Sequence, residues 1–392
     1  LFDQYLHLIT AGLWLKILHV ISELQTQKGG PTIALLGFVK AQLAIGSKPV
    51  VVWTSKDPKS SDESATLAQL NIPFVKIAPC HTNWLFSFNT NSMLRKLIQE
   101  ADVVHGHGVF EHILFAASKL AKEMQKPFVL RTCGILDRHS FRKNWLKKNL
   151  YLWLVGRHVI NRASALHLLT DFESKNLHPM ASSRPQVILP NGVDIPRLPS
   201  ESGAVRTMAA GAPFILFLGR LHPKKGIDLL LKSFPKLSRS DLKLVIVGDG
   251  DDQYVNQLKG LAASLGISSR VSFLGAKFDA EKFELMRAAS CMVLPSRDEN
   301  FANVVIEALA VGTPVIVSEQ VGLATFVQAK QLGAVCKLDV DDIAHKISTL
   351  DVGDRASFST RALKIVKENF SWNEIARTWQ ERYTKMLEEC VK

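Results

Sequence analysis

Short apolar runs alternate with longer amphipathic segments along this chain, and that alternation is its strongest constraint on folding. In the first half the runs cover residues 17–21, 50–53, 103–104, 128–130, 165–169 and 187–189. Helical patterns such as 33–43, 91–99 and 113–122 lie between them. Strand–helix alternation of this kind implies a parallel sheet with helices on both faces. The Pro- and Gly-containing stretch 190–213 reads as a linker. The alternation then restarts at 214–218, 244–247, 271–273, 291–294 and 314–317. Two doubly wound α/β domains are therefore expected, at residues 15–195 and 205–370. Residues 371–392 are expected to form a C-terminal helix, entered through Ser371 as N-cap, that returns to the N-terminal domain. The halves share architecture without a recognisable sequence repeat.

A length of 392 residues agrees with two domains, and 47% hydrophobic against 21% charged residues is the balance of a soluble globular chain. The formal net charge of +12 favours an anionic partner. Charge is the one argument for nucleic acid; no RNP, KH or helix-turn-helix signature accompanies it, and none is expected to bind. The five cysteines are scattered and form no CxxC pair, which suits reduced cytoplasmic thiols and neither a disulfide framework nor a zinc site. No apolar run reaches the roughly 18 residues of a membrane span. Residues 1–14 lack an initiating Met and a basic n-region, whereas a strand-like run begins at Leu15. They are expected to be a non-native or disordered extension.

In doubly wound sheets, ligands bind at the carboxyl ends of strands beside helix N-termini, so the residues just after strands carry the functional reading. Gly29 and Gly30 precede Pro31 after the first strand. Two glycines let a ligand approach the backbone, and Pro suits a first helical position. An ordinary loop and helix start would look the same, and the absence of GxGxxG argues against a dinucleotide site. In FLGRLHPKKG (217–226), Arg220 and Lys225 follow a strand end, where two cations can clamp a diphosphate. Surface decoration would equally produce this pair. In SRDENFANVVIEALAVGTPVIVS (296–318), Glu299 lies in the loop after a strand, and a helix starting near Asn303 places Glu307 in its early turns. Backbone amides of residues 300–303 would face a ligand with a carboxylate on each side, and carboxylates accept hydrogen bonds from sugar hydroxyls in fixed directions. Acidic residues near a helix N-terminus also arise from the macrodipole alone.

Glu299 and Glu307 together resemble the E-x7-E signature of retaining GT-B glycosyltransferases, the "group 1" family, of the bacterial surface-polysaccharide type. Other stations of that family occur in order. They are the GG pair at 29–30, VHGHG at 104–108, LPNGVD at 189–194, GRLHPKKG at 219–226 and VGDG at 247–250. The resemblance spans about residues 15–385. It implies two Rossmann-like domains facing a central cleft, and retaining, metal-independent transfer of a hexose-type sugar from a UDP- or GDP-sugar to a glycan or lipid-linked acceptor. Arg220 and Lys225 would hold the diphosphate, with Gly219 at the strand end. Glu307 would bind ribose and Glu299 the transferred sugar. Amides of Phe301, Ala302 and Asn303 would meet phosphate or sugar. Gly29 and Gly30 would admit the diphosphate, and His107 would lie near the sugar. Ala302 stands where the family commonly has Gly, and VGDG lacks the frequent following Pro. A sugar-nucleotide 2-epimerase of the same architecture and a non-catalytic sugar-nucleotide-binding protein are the alternatives.

Two strings are read as decoys. Asp249-Gly250-Asp251 spells a DxD metal motif but follows a strand of the second domain, and is expected to be a solvated loop. His105 and His107 have no evident third ligand, so no metal is expected. Finally, residues 138–162 carry seven Lys or Arg and no acidic residue. Phe141, Trp145, Leu146, Leu150, Trp153 and Leu154 recur there at helical spacing. The pattern fits a helix lying on an anionic membrane through residues 138–158, peripheral at the inner face of the cytoplasmic membrane. It also fits a core-facing stripe with a basic solvated back.

Overall fold

The computed structural model describes residues 15–25, 30–54, 63–77, 88–137, 145–196 and 212–391. The extension 1–14, Gly29, the linker stretch 197–211 and residues 138–144 of the basic segment lie outside the described residues. The chain divides into two compact units: Leu1–Gly192 with Trp372–Lys392, and Val193–Ser371.

Unit 1 is built on seven parallel strands: β1 (Lys16–Ile21), β2 (Lys48–Thr54), β3 (Phe74–Ile77), β4 (Val103–His107), β5 (Phe128–Arg131), β6 (Ala165–Leu168) and β7 (Gln186–Ile188), in the order β3-β2-β1-β4-β5-β6-β7. Helices α1 (Gly30–Ala44), α2 (Phe88–Glu100), α3 (His112–Glu123), α4 (Trp145–Tyr151) and α5 (Arg157–Arg162) belong to this unit, with a π-helical turn at Leu152–Gly156 joining the last two. Central strands such as KILHVI are apolar on both faces because helices cover both. On one face Leu18, Val20, Val104, Leu130 and Leu166 pack with Leu94, Ile98, Ile113, Leu114, Val159 and Ile160 from α2, α3 and α5.

Unit 2 holds six parallel strands, β8 (Phe214–Leu218), β9 (Lys243–Val247), β10 (Val271–Phe273), β11 (Cys291–Leu294), β12 (Val315–Ser318) and β13 (Gly333–Cys336), ordered β10-β9-β8-β11-β12-β13. Its helices include α6 (Ile227–Ser233), α7 (Asp252–Ser264), α8 (Asp279–Ala288) and α9 (Asn303–Ala310). The chain then returns to unit 1 as α10 (Trp372–Val391). Residues Ile375, Ala376, Trp379 and Tyr383 of α10 cover the second face of the unit 1 sheet with Phe38 and Ala41 of α1, over Ile17, Val103 and Val129. Close approach at the start of α10 requires glycine. A Cβ on Gly37 would stand 2.5 Å from the Trp372 ring, and one on Gly192 only 2.4 Å from it.

Both sheets reverse strand order beside their first strand, at β1/β4 in unit 1 and at β8/β11 in unit 2. The carboxyl ends of those strand pairs are the topological switch points where such sheets take ligands. Two edge strands, β3 and β13, were not anticipated from the apolar runs.

Candidate active site

At the unit 2 switch point, two loops are fastened side by side. The first leaves β8 at Gly219, passes exposed Arg220, and forms a short 3-10 turn at Pro223–Lys225. Gly226 closes it in a left-handed conformation, φ +68°, where a Cβ would collide with the carbonyl oxygen of Pro295 at 1.9 Å. The second loop leaves β11 and enters α9. Its Arg297 amide donates to the Lys224 carbonyl at 2.6 Å. The Arg297 guanidinium grips the Asp228 carboxylate with two bonds of 2.8 and 2.7 Å. Lys224 pairs with Asp298, and the Lys225 ammonium with the Glu299 carboxylate. The backbone of Glu299 is pinned in turn: its amide donates to Gln320 O at 3.1 Å, and its carbonyl accepts from Gly322 N at 2.7 Å. Lys225 and Glu299, 74 residues apart, thus meet at one switch point.

Helix α9 begins at Asn303, with Ala302 as N-cap in a left-handed conformation (φ +69°, ψ +74°) and no side-chain cap. A left-handed Ala is uncommon and strained, which explains why a glycine would suit this position. Phe301 is buried, its ring edge-on to Phe370 at 6.1 Å, so this residue has its backbone to offer a ligand. The first amides of α9 are the unpaired donors of a helix N-terminus. Glu307, one turn in, is buried and accepts from the Lys282 ammonium at 2.9 Å. Sequence reasoning missed Lys282: it sits on α8, and no spacing rule links it to Glu307.

Both DxD aspartates are engaged with backbone. Asp249 Oδ1 accepts from the Ala276 amide at 3.0 Å, and Asp251 caps α7 through the Tyr254 amide at 3.3 Å. Asp249 thereby holds the 275–278 loop while it, Gly250 and Asp251 stay exposed to solvent.

In unit 1, Gly30 opens α1 beyond the end of β1 and is exposed; its companion Gly29 lies outside the described residues. His107 ends β4, across the switch point from Ile21. It belongs to a buried imidazole cluster with His19, His105 and His167, all on the sheet face beneath α1 and α10. His19 Nε2 meets Gln42 Oε1 at 2.7 Å, and His19 Nδ1 meets His107 Nε2 at 3.0 Å. His167 Nε2 meets Leu189 O at 3.0 Å, His167 Nδ1 meets His105 Nε2 at 3.2 Å, and His105 Nδ1 meets the Tyr383 hydroxyl at 2.6 Å. With Gln42 presenting its oxygen, each chain of bonds closes with one proton per ring, so all four imidazoles are neutral. Burial, foremost, together with neighbouring imidazoles and Arg131, keeps the pKa of His105 and His107 well below 6.5; burial and Arg131 do the same for His167. Burial lowers His19 to about 4. The tautomers leave His107 Nδ1 as a bare acceptor, buried and without a partner among the described residues.

The basic segment turns its stripe outward. Leu146, Leu150, Trp153 and Leu154 are 64%, 58%, 54% and 48% exposed, while Leu152, Gly156, Val159 and Ile160 supply the buried side. The five-residue π turn contains members of both sets, with Trp153 and Leu154 outward and Leu152 and Gly156 buried. Among the described residues no helix is long and apolar enough to cross a membrane.

The twin doubly wound units, each with its switch point beside its first strand, have the GT-B-type architecture. Comparison with known proteins gives two family matches. The model described as "Glycosyl transferases group 1" matches residues 204–355, and "Glycosyltransferase Family 4" matches residues 29–197. Residues 204–355 thus carry the group 1 glycosyltransferase match, and the two matches together span most of the chain. It is 34% identical to the D-inositol 3-phosphate glycosyltransferase of Nocardia farcinica over 216 residues, 52% of this chain and 48% of that protein. It is 37% identical to an uncharacterised glycosyltransferase of Methanocaldococcus jannaschii over 178 residues, 44% of this chain and 45% of that one. The chain thus spans about half the length of these curated relatives. Among solved structures, Anabaena HepE in complex with UDP and glucose aligns with TM-score 0.76 at 20% identity, covering 95% of this chain and all of that one. Sucrose-phosphate synthase from Thermosynechococcus elongatus aligns with TM-score 0.73 at 19% identity, also over 95% of this chain and all of that one. These likenesses show the shared GT-B fold.

Proposed function

We propose that the chain transfers a hexose-type sugar, with retention of anomeric configuration, from a nucleoside diphosphate sugar to a glycan or lipid-linked acceptor in cell-surface polysaccharide assembly. The Lys225–Glu299 contact at the β8/β11 switch point carries the reading. It puts a cation suited to a diphosphate against a carboxylate suited to sugar hydroxyls, within one hydrogen bond of each other. The Lys225 ammonium has three donors, so it can keep Glu299 and still reach a phosphate oxygen. Arg220, exposed on the same loop, supplies the second cation. Glu307, held by Lys282, takes the ribose hydroxyls; the amides of Phe301, Ala302 and Asn303 face the phosphate or sugar. HepE was solved with UDP, which favours a UDP-sugar among donors.

In the reaction the bond from the anomeric carbon to the diphosphate oxygen breaks and the acceptor oxygen takes its place. The acceptor proton passes to the leaving phosphate, so the site needs no protein base. Negative charge grows on the diphosphate as that bond breaks, and preorganised cations there lower the barrier most. The outward apolar stripe among basic residues supports peripheral binding at the cytoplasmic face of an anionic membrane.

An EDTA-treated transfer assay on wild type, Arg220→Ala, Lys225→Ala and Asp251→Ala tests this, with donors chosen by a thermal-shift panel of UDP-, GDP- and ADP-sugars. The clamp takes the task a divalent ion performs elsewhere. Wild type and Asp251→Ala should stay active in EDTA, and each clamp variant should lose roughly 10²–10³ in turnover. Activity abolished by EDTA, rescued by Mn²⁺ and lost in Asp251→Ala would overturn the clamp. NMR of the product separates retention from inversion and transfer from epimerisation.

A further inference from the structure

The carboxyl edge of the unit 1 sheet holds a cation with no carboxylate partner among the described residues. Arg131 ends β5, in register with His107 of β4 on one side and His167 of β6 on the other, and is 3% exposed. Its Nη2 donates to the neutral side-chain oxygen of Asn191 at 2.7 Å. Its Nε has no hydrogen-bond partner among the described residues. Glu173, the buried carboxylate that senses Arg131 electrostatically, has both oxygens committed, to Thr132 Oγ1 at 2.6 Å, Gly134 N at 3.1 Å and Leu169 N at 2.8 Å. The four histidines are neutral and offset nothing. A buried charge without a partner is among the costliest arrangements a fold can keep, and an orphaned buried donor calls for an explanation. Here the cost falls at a ligand-binding edge, beside a second orphan, His107 Nδ1.

We infer that Arg131 binds an oxyanion, phosphate or carboxylate, carried by the acceptor substrate. Nε–H and one Nη2 hydrogen point the same way along one edge of a guanidinium, the edge with which Arg grips an oxyanion through two bonds. His107 Nδ1, an acceptor in the tautomer its neighbours impose, takes a hydroxyl hydrogen of the same molecule. The acceptor is therefore a polyhydroxylated anion. Its assignment to the acceptor rests on the reading above, in which the donor diphosphate belongs to the Arg220–Lys225 loop of unit 2.

Calorimetry on the full chain tests it, with UDP and then inorganic phosphate as probes, in wild type, Arg131→Gln and Asn191→Asp. Wild type saturated with UDP should still bind one phosphate. Arg131→Gln should weaken phosphate at least tenfold and leave UDP within twofold. Asn191→Asp brings a carboxylate to Nη2, so it should abolish phosphate binding while the melting temperature holds or rises; this arm stands even if Arg131→Gln fails to fold. No phosphate uptake by the UDP complex, or unchanged uptake in a folded variant, overturns the site. Parallel loss of UDP affinity in both variants overturns the acceptor assignment, because the donor diphosphate is then the anion. Phosphate bound at Arg131 by a chain that ignores UDP supports the anion site and overturns the functional reading beneath that assignment.

Discussion

Glu299 and Glu307 hold two different lysines, and that difference separates their tasks. Glu299 is paired with Lys225 of the loop after β8, which in the proposed reaction puts its carboxylate beside the breaking bond. Glu307 is paired with Lys282 of α8 and is 9% exposed, a setting for a binding group. Glu299→Gln should therefore lose most turnover while nucleotide affinity survives. Glu307→Ala should weaken nucleoside diphosphate binding by ~1–3 kcal/mol, the scale for leaving a buried polar partner unpaired. Calorimetry and turnover on both variants check the pair; the reverse pattern would exchange the two roles. The eight-residue spacing of these glutamates was legible in the sequence because both flank one helix start. Lys282 and Arg131 were not, because each gains its meaning from strands and helices far away in the chain. His107 stood out in a motif, yet its neutral tautomer depends on His19 and Gln42, which no motif contains.

Helix α10 meets unit 1 through Trp372, seated over Gly37 and Gly192, and this contact has a testable sign. Ala has the higher helix propensity, by about 1 kcal/mol over Gly, so Gly37→Ala would stabilise a free α1. In the folded unit the new Cβ would lie 2.5 Å from the Trp372 ring, and overpacking of that kind costs typically 1–3 kcal/mol. Gly37→Ala should thus destabilise unit 1, and adding Trp372→Ala should recover part of the loss in a double-mutant cycle by urea denaturation. Additive effects would mean the ring does not sit on Gly37. The central strands were readable as apolar runs because they are covered on both faces. Of the four partly buried edge strands, β7 and β10 were read as apolar runs, whereas FVKI of β3, broken by Lys76, and GAVC of β13, opened by Gly333, were not. Helical spacing of Leu146, Leu150, Trp153 and Leu154 was equally legible, but the sequence left its direction open; the π turn and buried Leu152, Val159 and Ile160 settle which side faces out. Binding to anionic vesicles should weaken with salt and with Lys148→Glu, at about 1 kcal/mol per basic residue near the surface. It should also weaken with Trp153→Ser. Flotation insensitive to all three would remove the membrane reading.

The two units are equipped to respond differently to acid. Unit 1 buries four neutral histidines; the two histidines of unit 2, His222 and His345, are exposed. Because burial depresses the folded pKa of His19, His105, His107 and His167, the unfolded chain binds protons that the folded unit refuses. Stability is then complete above the unfolded value of 6.5 and is lost as pH falls toward the folded values. For His19 the window runs from 6.5 to about 4. At about 1.4 kcal/mol per pKa unit, that residue alone accounts for on the order of 3 kcal/mol across it. Glu111 and Glu173 act in the opposite sense, since burial raises their carboxyls and the folded unit takes up those protons first. Two such groups offset part of the loss from four histidines but do not reverse it. The chain supplies its own probe, because all seven tryptophans lie within residues 1–192 and 372–392. Urea unfolding followed by tryptophan fluorescence therefore reads unit 1, while far-ultraviolet circular dichroism reads both units. Between pH 7 and pH 5 the fluorescence midpoint should fall steadily and the dichroism trace should split into two steps, the later one nearly fixed. His167→Gln, which removes one titrating ring, should flatten the fluorescence slope. Midpoints that move together, or a fluorescence midpoint indifferent to pH, would mean that the imidazole cluster is not held neutral by the fold.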